Sequence, residues 1–191
     1  MITAVDLTGG FIGLCFLVFV VFWIATAFST KRTVRRSGRW RLVFFAILVG
    51  WFVVRLGFHH FPWMNGFAWQ RTLATGLAAD AIALAGLAVM LWARVVLGRN
   101  WSADVVVKEG HELVTGGPYR WVRHPIYTGL LAGFLGTAIA MGQWRAVLAL
   151  VIVFVALWRK LRLEERWMAE QFGDAYARYR REVAALIPFL L

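Results

Sequence analysis

Acidic residues are scarce in this chain of 191 residues: ten Asp and Glu stand against 21 Lys and Arg, and charged residues of both signs make up only 16%. Soluble domains carry roughly 25% charged residues, so a water-exposed globule is excluded. Cysteine is almost missing as well. Cys15 stands alone inside an apolar run, which excludes an intrachain disulfide framework and a cysteine-based metal site. Only four His are present, and no carboxylate or cysteine converges on the His59-His60 pair, so no metal centre is expected. The N-terminus lacks a basic stretch ahead of its first hydrophobic run, so that run is read as a span and not as a cleavable signal.

What remains is hydrophobicity, at 61% of residues and a mean hydropathy of +0.66. The expected fold is all-α, a polytopic integral membrane protein with about five transmembrane helices. The net charge of +11 would point to nucleic acid in a soluble protein. Here the cations sit in short segments between apolar runs, where topology and anionic headgroups account for them, and nucleic-acid binding is not expected.

The predicted spans are residues 11–28, 42–58, 73–96, 126–141 and 144–158, the last two forming a hairpin about Gly142-Gln143. An aromatic interfacial loop follows the second, broken by Pro62 and Asn65-Gly66. Gly129, Gly133 and Gly136 leave a bare stripe on the fourth, fit for a neighbouring helix or a ligand. The whole chain, 1–191, is read as one membrane domain, with scaffold spans in 11–97 and a catalytic region in 98–191. Six cations lie between spans one and two, five from the last turn of span three (Arg94) to the start of span four and seven in the tail, against three at the opposite face. By the positive-inside rule the N-terminus is outside, and the 98–125 loop and C-terminus are cytoplasmic.

That loop holds most of the candidate chemistry. It carries a short extended piece at 105–107, a turn at Gly116-Gly117-Pro118-Tyr119 and the sequence Arg123-His124-Pro125-Ile126-Tyr127 where the chain returns to the membrane. Pro125 suits a first helical turn and puts His124 at the helix start; a plain basic capped turn would look the same. The tail continues the fifth span as a helix in which Glu164 and Glu165 fall on apolar stripes, so at least one carboxylate should face the bundle. Lys160 to Glu164 and Arg162 to Glu165 are alternatively ordinary helix salt bridges.

Residues 111–129, the Glu164-Glu165 pair after a hydrophobic hairpin, and the run from Phe172-Gly173 through Tyr176 to Tyr179 together resemble the isoprenylcysteine carboxyl methyltransferase family, over roughly 98–191. The resemblance implies an integral-membrane methyltransferase that uses S-adenosyl-L-methionine without a Rossmann fold. It implies a cofactor held by His111, Leu113, Val114, Tyr119, His124, Pro125, Ile126, Tyr127 and Glu164, with Lys160, Arg162 and Arg123 as the catalytic group. The backbone of Leu113 and Val114 suits an adenine edge, the Tyr rings suit adenine or sulfonium, and Glu164 suits an amino group or ribose. The acceptor implied is a lipophilic or prenylated molecule arriving from the bilayer among membrane lipids. Its carboxylate would take the methyl by in-line displacement, needing no base. One position differs: the family places Arg a helical turn before the first Glu, and this chain has Lys160, a point charge without a planar fork. Lipid-amine methylation and an NADPH-dependent reductase of the sterol type are the alternatives that share parts of the motif.

Overall fold

Among the described residues four long helices carry the fold: α1 (Ala4–Thr26), α2 (Leu73–Leu97), α3 (Pro125–Met141) and α4 (Trp144–Glu182). The computed structural model describes residues 4–26, 33–36, 45–47, 49–50, 53, 62–100, 106–108 and 113–188. Local chemistry accounts for the helix ends. Thr72 caps α2: its Oγ1 accepts from the Thr75 amide at 3.2 Å, and Thr75 Oγ1 accepts from the Thr72 amide at 2.9 Å. Helix α3 starts on Pro125, whose missing N–H costs nothing at a first turn, and stops at Gly142 in the left-handed conformation, φ 61°. The two-residue connection Gly142-Gln143 then reverses the chain into α4.

Small residues let α2 and α3 touch backbone to backbone. A Cβ on Gly86 would stand 2.6 Å from the Gly129 carbonyl oxygen, and one on Gly136 would stand 2.7 Å from the Ala79 carbonyl oxygen. Gly133 instead faces the Phe16 ring of α1, which meets Phe134 edge-on at 5.7 Å. The bare stripe is therefore a packing surface for two helices. Around it Leu87, Met90, Leu130, Phe134, Val153, Leu157 and Leu161 form the core. The described part of the run 42–58 is helical and lies against α3 and α4, where a Cβ on Gly50 would come 3.1 Å from Val153. The rest of that run and the His59-His60 pair lie outside the described residues.

At one end of the bundle the aromatic loop locks onto the α3–α4 turn. The Ala68 amide donates to the Gly142 carbonyl at 2.7 Å, Trp69 Nε1 to Ile139 at 3.1 Å and Arg71 Nε to Ala140 at 3.1 Å. At the other end Arg94, 3% exposed, ties the last turns of α1 and α2 together by donating to the carbonyls of Thr26 at 2.6 Å and Gly98 at 2.8 Å. A two-stranded antiparallel ribbon, β1 (Thr33–Arg36) with β2 (Val106–Lys108), pairs Thr33 with Lys108 and Arg36 with Val106. The all-α expectation thus gains a ribbon. Its second strand lies one residue beyond the extended piece expected at 105–107, and its partner was not foreseen within the basic cluster.

Helix α4 has 39 residues, or roughly 58 Å at 1.5 Å per residue, about twice the hydrocarbon thickness. Its buried face runs Val153, Leu157, Leu161 and Glu165 in steps of four, so the core stripe of the bundle ends on a carboxylate. Gly173, at φ 50° and ψ −124°, breaks the helix and returns its last turns toward the start of α3. Among the described residues α2 is the one helix both long and apolar enough to cross a membrane, while Gly10–Thr26 and Pro125–Met141 are apolar but shorter. Helix α1 turns Leu14, Leu17, Val21 and Ile24 outward, each more than half exposed, a face that only lipid or another apolar surface could cover favourably.

The close α2–α3 crossing leads to a prediction. Gly129→Ala, which runs into the Gly86 carbonyl and Met90, should lower stability by about 1–3 kcal/mol. Gly10→Ala, with open space around it, should be neutral or slightly stabilising. Thermal midpoints of the detergent-solubilised variants check both.

Candidate functional site

The site forms where α3 begins and α4 leaves the bundle. Glu164 on α4 accepts from the Tyr127 hydroxyl on α3 at 2.7 Å, and its Oε1 lies 3.5 Å from Lys160 Nζ, one helical turn back. Its other oxygen lies 3.5 Å from His124 Nδ1. The His124 and Tyr127 rings stack with centroids 5.5 Å apart and planes 4° from parallel, and Lys160 Nζ stands 5.3 Å from the Tyr127 centroid. Tyr127 thus has an imidazole and an ammonium for neighbours and a carboxylate at its hydroxyl.

Glu165 closes the far side of His124. Its Oε1 accepts from Arg123 Nε at 2.8 Å and from Nη2 at 2.5 Å and stands 3.5 Å from His124 Nε2, while its Oε2 lies 3.7 Å from Arg180 Nε. Both His124 contacts are at the long end of an ion pair, and among the described residues the buried Nε2 has no closer polar partner than Glu165. Burial works against the imidazolium, yet the two flanking carboxylates outweigh it and raise the His124 pKa. Burial also opposes charge on Glu164 and Glu165. For Glu164, Lys160 and then His124 win and lower it; for Glu165, His124 and Arg123 bring it down to about 2. The signs set a window. His124 stabilises the fold fully below its ordinary titration near about 6.5, and that contribution is lost as pH rises through the raised value. The carboxylates contribute above their ordinary range near about 4.3 and lose it as pH falls through the lowered values.

A carboxy-terminal strap holds this arrangement. Arg123 Nη1 donates to the carbonyls of Arg180 and Val183, its amide donates to Ala184 at 2.8 Å, the His124 amide to Ala185 at 3.0 Å, and Thr128 Oγ1 to Leu186 at 2.7 Å. Tyr179 donates to the Tyr119 carbonyl at 2.5 Å.

The cofactor residues expected from the sequence divide into groups. His124, Pro125, Ile126, Tyr127 and Glu164 come together, with Pro125 fully buried and Ile126 packed on the core. Tyr119 is buried in a turn, Gly117–Arg120, with its hydroxyl 3.5 Å from the Ala93 carbonyl on α2, and burial first, then Tyr179 and Glu164, pushes that phenol up. Leu113 lines a groove of about 490 Å³ with Thr115, Arg120, Arg178, Tyr179 and Glu182, and Val114 is half-buried beside it. His111 lies outside the described residues. Of the catalytic group, Lys160 is in the cluster and Arg123 is at its edge, committed to Glu165 and the strap. Arg162 is exposed, with its guanidinium 6.0 Å from the Trp158 ring. The Lys160–Glu164 helix pair is present, but Glu165 pairs with Arg123, 42 residues away, and no sequence spacing announced that. The Glu165 role and the strap were the parts missed; the only signal was that Glu165 falls on the buried stripe.

A structure of the eukaryotic intramembrane Ras methyltransferase, isoprenylcysteine carboxyl methyltransferase, superposes with a TM-score of 0.55 over 82% of this chain and 55% of that one, at 22% identity, a likeness of fold. The protein-S-isoprenylcysteine O-methyltransferase of Schizosaccharomyces pombe is 36% identical over 104 residues, covering 51% of this chain and 43% of that protein. The cobalt-zinc-cadmium resistance protein CzcN of Cupriavidus metallidurans is 31% identical over 170 residues, covering 87% of this chain and 70% of that one. The chain spans about half the length of the isoprenylcysteine methyltransferases it matches or less. The family model for phospholipid methyltransferase matches residues 74–175, more than half of the chain, and reaches upstream of Gly98 through α2. By that match, which takes in Tyr127, Lys160 and both carboxylates, the chain belongs to the phospholipid methyltransferase family.

Proposed function

We propose that the chain is a membrane methyltransferase that uses S-adenosylmethionine to methylate the carboxylate of a lipophilic acceptor. The observation that carries this reading is Glu164, an anion enclosed by Tyr127, His124 and Lys160 at the mouth of α3. The donor set fits the cofactor: a half-buried carboxylate for a cationic group, and the stacked His124 and Tyr127 rings as aromatic faces for a sulfonium or an adenine. Glu164, Tyr127 and His124 would hold it, with Leu113 and Val114 along the groove beside the strap. Bound there, S-adenosylmethionine supplies a methyl group on a sulfonium. The chain's own residues bind, orient and keep water out: Lys160 offers the positive charge for an acceptor carboxylate, and the strap covers the motif on the aqueous side.

A carboxylate acceptor is already ionised at neutral pH and needs no proton removed. That matches a cluster in which the one imidazole stands between two carboxylates that raise its pKa, and no step of the transfer calls on it as a base. The topology read from the sequence, five spans with the N-terminus outside and the site cytoplasmic, belongs to the same proposal. It draws support from the joined ends of α1 and α2 and from the start of α3, which is bonded to the tail of α4. A lipid-amine acceptor is the second reading. It is favoured by Lys160, a point charge already engaged by Glu164 where a planar fork would suit a carboxylate.

Two measurements test these readings. Glu164→Ala and Tyr127→Ala should each weaken S-adenosylmethionine binding at least tenfold in calorimetry, and unchanged affinity in both removes the cofactor assignment. With methyl-labelled cofactor, a prenylcysteine analogue should accept label as a base-labile methyl ester that releases methanol. Label found only on phosphatidylethanolamine and stable to base replaces the first reading with the second.

A further inference from the structure

Glu165 has no place among the ligand contacts of the proposed function, yet its side chain is the more enclosed of the two carboxylates, 8% exposed against 19% for Glu164. A charge so buried is expensive unless every lone pair is used. Glu165 accepts two hydrogen bonds from Arg123 and stands at ion-pair distance from the Nε2 face of His124 and, at the rim, from Arg180. The imidazole is therefore bracketed, with Glu164 facing Nδ1 and Glu165 facing Nε2, each at 3.5 Å. Other charged and titratable groups bear on the bracket: Tyr127 from α3, Lys160 through Glu164, Arg123 next in the chain, and Arg180 and Tyr176 from the returning end of α4.

Resting on the methyl-transfer reading, we propose that Glu165 is a positioning residue for this site: it holds the His124 imidazole from the side opposite Glu164, and so keeps Glu164 aimed at Tyr127 and Lys160. Three observations support this beyond ordinary ion pairing. Glu165 continues the buried stripe of α4, so its carboxylate has one direction available. Arg123 is itself fixed by the carbonyls of Arg180 and Val183, so the strap sets where Glu165 Oε1 can sit. His124 caps α3 without a side-chain hydrogen bond to the helix, so the two carboxylates and the Tyr127 stack are what orient its ring. Glu164 meets His124 through one oxygen and Tyr127 and Lys160 through the other, so a turn of the imidazole is felt at both ends of that carboxylate.

The test uses the full chain in lipid nanodiscs. His124 ring resonances, identified by their loss in His124→Gln, are followed against pH by NMR without ligand, and S-adenosylmethionine affinity is followed against pH by calorimetry. In Glu165→Gln the His124 midpoint should fall by about one unit, a tenfold change in proton affinity. Cofactor affinity should weaken by about tenfold, with its alkaline limb moving down by the same unit. Glu165→Asp should fall between the two. A midpoint and an affinity profile that both stay at wild-type values overturn the proposal even where the thermal midpoint drops, because a merely structural pair would lower only stability. If the wild-type protein binds no S-adenosylmethionine, the methyl-transfer reading fails on its own and the ligand-free His124 titration decides about Glu165. Where Glu165→Gln does not fold, an unmoved His124 midpoint in Glu165→Asp is the overturning result.

Discussion

Two neighbouring carboxylates, at the level where a long helix leaves an apolar bundle, impose the constraint on which the site depends. Each must be neutralised locally, because burying an unpaired carboxylate costs several kcal/mol or more. Glu164 is answered by Lys160, His124 and the Tyr127 hydroxyl, and Glu165 by Arg123, His124 and Arg180. Most of those partners lie at the start of α3. The first turn of α3 must therefore lie against the exit of α4, and that position needs the bare backbone contact of Gly86 with Gly129 on one side of α3 and a short turn through Gly142 at its end. Packing far from the chemistry is thus part of the chemistry's geometry.

The same constraint explains the return of the chain after Gly173. A helix extended straight from the bundle would leave Arg123 with an acceptor on one side only. The break at φ 50° lets the last turns come back, and the carbonyls of residues 180 and 183–186 take up donors from Arg123, His124 and Thr128. An arginine suits this position because its several N–H groups can serve a carboxylate and two carbonyls at once. Charge alone would not require a guanidinium here; the number and direction of the acceptors do.

Helices α2, α3 and the first half of α4 were legible in the sequence because apolar runs of membrane length are a strong signal, and Pro125 and Gly142 mark the ends of α3 by known capping chemistry. His124, Tyr127, Lys160 and Glu164 were legible as a group through motif spacing. The stripe of Gly129, Gly133 and Gly136 showed that something comes close, but periodicity is indifferent to whether the visitor is α1, α2 or a ligand. The ribbon between Thr33–Arg36 and Val106–Lys108 was not legible, since strand pairing across some seventy residues leaves no local trace and a basic cluster next to a span reads first as a topology signal. The partner of Glu165 was not legible for a related reason. Local rules weigh partners three or four residues away, and Arg162 satisfied them, but the apolar face of α4 turns Glu165 inward to Arg123 and leaves Arg162 outside on Trp158.

The position before Glu164 then takes on a definite physical meaning. Lys160 reaches Glu164 Oε1 at 3.5 Å and the Tyr127 face at 5.3 Å with a side chain 9% exposed. A compact ammonium can serve an anion and a ring together because its donors are not confined to a plane. A guanidinium in the same place would present a flat fork and select a planar bidentate partner. On the proposed reading, the anionic end of the acceptor is therefore recognised by charge and not by shape, and Arg162 cannot restore the fork from the opposite face. Discrimination among acceptors shifts to the lipophilic end. The surface available for it carries Val95, Trp92 and Trp121, all substantially exposed, with the two indoles edge to face at 5.5 Å and the Arg120 guanidinium 4.8 Å from the Trp121 centroid. On the proposed reading, such an amphipathic rim would suit an acceptor with an apolar body and a charged tip at the membrane boundary.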